Sequence, residues 1–207
     1  MKKTDLSKVY PSHYKTKTKA EELYIEKAHY LSIEGKGDPS AQEFSGRIQA
    51  LYGVAYAIKF LCKERGDDFV VPKLEGQWWY DENKYKGVTM DKAATDIPRS
   101  EWCYCLMIKM PAFVSQKDFE LGLQKAGAKR QNDFAKELHF LAIELGRCVQ
   151  ILHVGPFHTE GQSLALLKDY MDQNGLSRNG KHHEVYLSDF NKVSEEKLKT
   201  ILREPVK

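Results

Sequence analysis

Nowhere in the 207 residues is there an apolar run of about 18, so no segment reads as a membrane-spanning helix and no membrane partner is expected. An excess of one charge is missing too. Lys and Arg total 32 against 29 Asp and Glu, a formal net charge of +3, which gives no general argument for a polyanion as partner. Cysteine is scarce: Cys62, Cys103, Cys105 and Cys148. Cys103 and Cys105 could share a metal, but no second CxxC or HxxxH stands near to complete a tetrahedral site. The lysine-rich residues 1–19 lack an apolar leader core, so the thiols are expected to be reduced and the protein cytoplasmic. The same stretch is too short and irregular for a DNA-reading helix-turn-helix, and no nucleic-acid partner is expected. No Walker loop, GxGxxG, GxSxG or HExxH element occurs. His153, His158, His182 and His183 cluster in the second half without metal-ligand spacing. Neither a metal nor a cofactor is therefore expected.

What is present is a weak internal duplication with α+β character. In the first unit Leu23–Ile25 and Ala28–Ile33 read as strands, followed by Gly35-Lys36-Gly37-Asp38-Pro39. Asp38 before Pro39 predicts a helix start there. Phe44, Ile48, Leu51, Ala55, Ile58 and Cys62 then recur at helical spacing, and Gly66 marks the stop. Asp68–Tyr80, broken by Pro72 and Gly76, and Trp102–Met110 read as two more strands. The second unit repeats the order: strands at Leu138–Ile143 and Cys148–Val154, then Gly155-Pro156-Phe157. Thr159 and Gln162 predict a capping box for a helix carrying Leu164, Leu167 and Met171. Strands at His182–Leu187 and Leu198–Leu202 close it. The approximate units are 20–115 and 135–207, joined through 116–134, where Gln116–Gln131 predicts a helix, and the whole is expected to be one domain, 1–207. The polar stretch Asp81–Ser100 is long for a loop and is expected to be mobile or to cover something. Two similar units pack around a pseudo-twofold axis, and a ligand groove is expected where they meet.

The strand His182-His183-Glu184-Val185-Tyr186-Leu187 is the most informative stretch. Period two places His182, Glu184 and Tyr186 on one face and His183, Val185 and Leu187 on the other. This is either an exposed polar face over an apolar one or a carboxylate facing a cleft, where it would meet a cation or act as a base. In the first unit Glu75, Gln77 and Trp79 share a face unless Gly76 makes a bulge. Of Trp78 and Trp79, one is then core and the other free to line the cleft. Trp102 and Tyr104 share a face with Leu106 and Ile108, which favours core. Tyr52 and Tyr56 flank the first helix's stripe, where a phenol keeps its hydroxyl near water or ligand. Phe157 would stand at the mouth of the second helix. Aromatic residues are 11% of the chain, and part of that content falls where the groove is expected.

Taken together, Leu31-Ser32-Ile33-Glu34-Gly35-Lys36-Gly37-Asp38-Pro39, Leu51-Tyr52-Gly53-Val54-Ala55-Tyr56, Leu74-Glu75-Gly76-Gln77-Trp78-Trp79, Val149–Phe157, His182–Asp189 and Lys199–Arg203 resemble the GyrI-like small-molecule-binding family. The resemblance implies two pseudo-twofold-related βαββ modules of the SHS2 type, with antiparallel sheets, helices on one side and a ligand groove between them. The fold also serves as the effector-binding part of multidrug-sensing regulators. Without a DNA-binding part, this chain is not expected to be a regulator by itself. In those regulators a strand carboxylate in a Glu-x-Tyr setting meets cationic aromatic drugs, and the matching residue here is Glu184. Stand-alone members with the Trp-Trp and His-His-Glu features resemble a branch linked to hydrolysis of cyclopropane-bearing alkylating toxins by a carboxylate and a tyrosine. Glu184 is the expected base, paired with Tyr104 or Tyr186. Tyr52, Tyr56, Glu75, Trp79, Trp102, Phe157 and His182 are the expected ligand contacts. The competing readings are a non-catalytic protein that sequesters aromatic molecules and, from the family's name, a protein-interaction role. A monomer or homodimer is expected.

Overall fold

A computed structural model describes residues 3–129 and 132–207. Two short helices, α1 (Leu6–Val9) and α2 (Pro11–Tyr14), precede strands β1 (Glu21–Ile25) and β2 (Ala28–Lys36). Helix α3 (Gln42–Glu64), strand β3 (Leu74–Trp79), helix α4 (Met90–Asp96), strand β4 (Cys103–Lys109) and helix α5 (Gln116–Lys129) follow. The second unit is β5 (His139–Ile143), β6 (Gly146–Val154), α6 (Glu160–Gln173), β7 (His182–Tyr186) and β8 (Lys199–Pro205). All eight strands form one antiparallel sheet in the order β1-β6-β8-β7-β3-β4-β2-β5. Exchanging β1 with β5, β2 with β6, β3 with β7 and β4 with β8 turns that order onto itself. The duplication is therefore a pseudo-twofold, with its axis between β7 and β3. Each unit also lends its first strand to the other: β1 pairs with β6, and β5 with β2.

The sheet is continuous because β3 and β7 pair, from Glu75 opposite Val185 to Trp78 opposite His182. One face receives α3 and α6. Leu51, Val54, Ala55 and Ile58 of α3 pack on Leu31, Ile33, Leu106 and Ile108. Leu164, Leu167 and Met171 of α6 pack on Val149, Ile151 and Leu202. Both helices are amphipathic, and the stripes predicted from spacing are the buried faces. Glycines Gly37 and Gly155 end β2 and β6 with φ of 122° and 137°, a backbone conformation that disfavours a side chain. The other face is covered by α1 and α2, whose Leu6 and Tyr14 bury against Val185 and Ile201.

Two local expectations are corrected. Helix α3 starts at Gln42, not at Asp38-Pro39, because Asp38 Oδ1 is taken by the Ser40 backbone N–H at 2.8 Å in a tight turn. Thr159 forms no capping box; its hydroxyl donates to the Pro156 carbonyl at 2.7 Å, within a single 3-10 turn before α6. The stretch Asp81–Ser100 contains α4, whose seven residues are too few to show a stripe. Helix α4 sits on the start of α6, where a Cβ on Gly161 would come within 2.8 Å of the Asp91 carbonyl oxygen. The predicted helix end at Arg130 and Gln131 lies outside the described residues. No helix among the described residues is long and apolar enough to cross a membrane.

Candidate functional site

On the helix-bearing face, beside the pseudo-twofold junction, lies a cavity of about 420 Å³. Its floor comes from β3 and β7, and its walls from the segments around α4, the start of α6 and the Phe190 loop. The alternation of β7 aims His182, Glu184 and Tyr186 into it. Glu184 stands opposite Gly76 in the strand register. A Cβ on Gly76 would fall 3.0 Å from the Tyr186 hydroxyl oxygen and 3.1 Å from Trp78 Nε1. The missing side chain leaves room for the indole N–H of Trp78 to donate to the Tyr186 hydroxyl at 2.9 Å. Trp78 meets Trp102 edge-on, with ring centroids 6.3 Å apart, and stacks on Phe44 at 5.9 Å. Phe157, Tyr186 and Phe190 meet one another edge to face. Such walls suit a flat, apolar ligand.

The polar groups of the cavity form one chain of charges. Arg178 Nε donates to Glu204 Oε2 at 3.1 Å, and Glu204 Oε1 accepts from His182 Nδ1. His182 Nε2 faces Glu184 Oε1 at 3.3 Å. Burial by itself would lower the His182 pKa, but Glu204 and Glu184 outweigh it and raise the imidazole to about 10, so it is a cation at neutral pH. Burial, reinforced by Glu184, holds the Tyr186 phenol well above its ordinary range. Glu160, the first residue of α6, also lines the cavity; burial and the charge of Glu184 hold its carboxyl well above the usual range. The arrangement places the Glu184 carboxyl beside an imidazolium, with the buried Glu160 carboxyl in the same aromatic-walled cavity.

The model of the GyrI-like small molecule binding domain matches residues 18–207. The chain belongs to the GyrI-like family. No curated protein matches it. Among solved structures, an uncharacterized conserved protein from Listeria innocua is 34% identical with a TM-score of 0.88, covering 99% of this chain and 100% of its own. Two structures of hydrolases from Listeria innocua are 33% and 35% identical, with TM-scores of 0.84 and 0.85. They cover 99% and 100% of this chain, and all of their own lengths. The segment before residue 18, with α1 and α2, lies outside the GyrI-like match.

In this GyrI-like fold, Glu184, Tyr186, His182, Trp79, Trp102 and Phe157 all line the cavity. Trp79 also packs behind the sheet against Tyr30, Cys105 and Met107, with Lys181 Nζ 3.3 Å from its ring centroid. Four other residues singled out from the sequence do not line it. Tyr104 is buried beneath Phe44 and Trp78 and fills the space over Gly35, so it supports the aromatic wall from behind. Tyr52 packs at the margin of the α3 core, and Tyr56, one turn on, faces solvent. Glu75 lies on the opposite face, because without a bulge at Gly76 alternation turns it away from Glu184. There Glu75 accepts from His13 Nε2 at 2.9 Å and His183 Nε2 at 2.8 Å, fully buried under α2. Burial would raise its pKa, but the two imidazoles and their hydrogen bonds hold it well below the usual carboxylate range.

The sequence reading missed Glu160, Glu204, Arg178, Trp78 and Phe190 as cavity residues. For Trp78 the alternation with Trp79 was legible, but which of the two lies on the Glu184 face follows from Gly76 pairing opposite Glu184. Glu160 and Glu204 carry no motif; their role follows from the cross-strand pairing and from how α6 starts.

Proposed function

We propose that this protein binds flat aromatic small molecules in the cavity and hydrolyses electrophilic ones that carry a strained cyclopropane. The observation that carries the reading is the contact of Glu184 with the protonated His182 inside an aromatic-walled cavity. The imidazolium orients the Glu184 carboxyl in the cavity, and the aromatic walls suit a flat substrate held against it. The hydrolases from Listeria innocua with full-length likeness support the reaction class.

In a spiro-cyclopropane conjugated to a dienone, water attacks the strained methylene carbon. Glu184 takes the proton of that water as general base, a role worth about 10²–10⁴-fold in rate. The cleaved carbon–carbon bond delivers its electron pair through the ring to the carbonyl oxygen, which becomes a phenol. Trp78, Trp102 and Phe157 stack on or edge against the planar framework. Tyr186, fixed by the Trp78 N–H, positions Glu184 and the substrate. Tyr104 acts only through the wall residues it supports, Trp78 and Phe44.

Incubation with a spirocyclopropyl cyclohexadienone is expected to yield a product one water heavier. Glu184→Gln is expected to keep ligand binding and to lose turnover by about 10²-fold or more. Parental turnover in that variant would remove Glu184 as the base. Tight binding by the parent protein with no heavier product would leave a sequestering protein instead.

A further inference from the structure

Resting on that hydrolytic reading, we propose that Glu160 is a second catalytic carboxyl, which donates its proton to the substrate oxygen on which charge collects as the ring opens. Glu160 is 7% exposed, lines the cavity, and its Oε1 has no hydrogen-bond partner among the described residues. The same cavity is walled in part by the apolar Phe157, Leu164 and Ala94. An unpartnered buried carboxyl is costly as an anion, and far less so as a neutral acid.

Two opposing influences act on its proton. The amino end of α6 and the His182 charge favour the anion. Burial away from water, the largest influence, disfavours the anion, and the neighbouring Glu184 charge adds to it. Burial wins, in agreement with the upward shift of this carboxyl. The His182 cation makes its contact with Glu184, at 3.3 Å. Glu184 thus has the imidazolium as its partner while Glu160 Oε1 has none, the asymmetry that divides base from acid.

The division fits the bond changes. Water's oxygen bonds to the methylene carbon while the cyclopropane carbon–carbon bond breaks, and Glu184 gains the water's proton. The electron pair moves to the former carbonyl oxygen, which takes the proton of Glu160. One water is consumed, and transfer of the proton from Glu184 to Glu160 in the shared cavity restores the starting state. Nothing is oxidised or reduced. The electrophilic methylene carbon and the carbonyl oxygen lie at opposite ends of the conjugated system, so one carboxyl cannot serve both.

The test compares the parent protein with Glu160→Gln on a series of spirocyclopropyl cyclohexadienones whose product phenols differ in acidity. The variant is expected to lose about 10²-fold or more in kcat on the least acidic phenol, and progressively less as the phenol becomes a better leaving group. A loss equal across the series, or no loss, overturns the proposal while leaving Glu184 as base. No hydrolysis by the parent protein overturns the hydrolytic reading itself. Infrared difference spectra at neutral pH give a second readout that needs no turnover. A protonated-carboxyl C=O band in the ligand-free parent, absent from Glu160→Gln, is expected; an identical spectrum overturns the proposal.

Discussion

Single residues in this protein act through the charges beside them. His182 is a cation because Glu204 and Glu184 flank it, so its state depends on residues far apart in the sequence. Glu204→Gln removes the nearer charge. We expect the His182 pKa in that variant to fall from about 10 towards its ordinary value, measured by NMR titration of the ring protons. An unmoved pKa would show that Glu184 alone holds the proton. Gly76 acts by absence. Gly76→Val is expected to push Tyr186 and Trp78 off their 2.9 Å contact and to destabilise the fold by about 1–3 kcal/mol, read from urea denaturation. The His182-x-Glu184-x-Tyr186 face was legible, since strand alternation is local. Which residue neutralises which was not, because Glu204 reaches His182 only through β7–β8 pairing.

At the level of elements, the two helices that carry the stripes were readable and the two smallest structural additions were not. Helix α4 closes the cavity by packing on α6 at Gly161, a contact that no periodicity announces. Gly161→Val is expected to lift α4 and weaken binding of a planar aromatic probe at least several-fold, measured by fluorescence quenching of Trp102 and its neighbours. The α1–α2 segment, outside the family match, seals the back of the sheet. Arg203 Nη2 donates to the His13 carbonyl at 2.9 Å, and Gln150 Nε2 to the Ser12 carbonyl at 3.3 Å. Two of its apolar side chains, Leu6 and Tyr14, are buried. At about 1.5–3 kcal/mol for each buried large side chain, removal of residues 1–17 should cost about 3–6 kcal/mol, seen as a lower denaturation midpoint. An unchanged midpoint would mean that the sheet face is sealed without this segment.

For the whole molecule, buried titratable groups fix the pH range of stability. His13, lowered by burial to about 4, and His183, lowered for the same reason, are neutral when folded and take up protons on unfolding below about pH 6.5. Glu75 works in the same direction: its depressed pKa gives stability that is lost as pH falls through the carboxylate range. Glu160 opposes them, since its raised pKa makes the folded state more favourable towards acid. With the buried Asp118, whose carboxyl burial would raise but Arg65 and Ser115 hold below its ordinary range, the lowered groups leave stability falling on the acid side. On the alkaline side His182 contributes stability that is full below about pH 6.5 and is lost as pH rises towards about 10. The melting temperature is therefore expected to peak near neutral pH and to fall in both directions, checked by thermal unfolding across a pH series. A Tm that climbs steadily from neutral to alkaline pH would contradict the charged His182.

The sequence by itself determined the duplicated order of strands and helices, the buried stripes of α3 and α6, and the face on which His182, Glu184 and Tyr186 stand. Each of these is a repeat of 3.6 or 2 residues, or a glycine-marked turn, and needs only neighbours along the chain. The tertiary structure alone decided that β3 and β7 join two units into one sheet, which turned Glu75 to the back and Trp78 to the front of the cavity. It also decided that Glu204 charges His182 and that Glu160 is buried without a partner. Those outcomes depend on which segments meet, and the energies that set proton positions come from charges brought together across the sheet rather than along it.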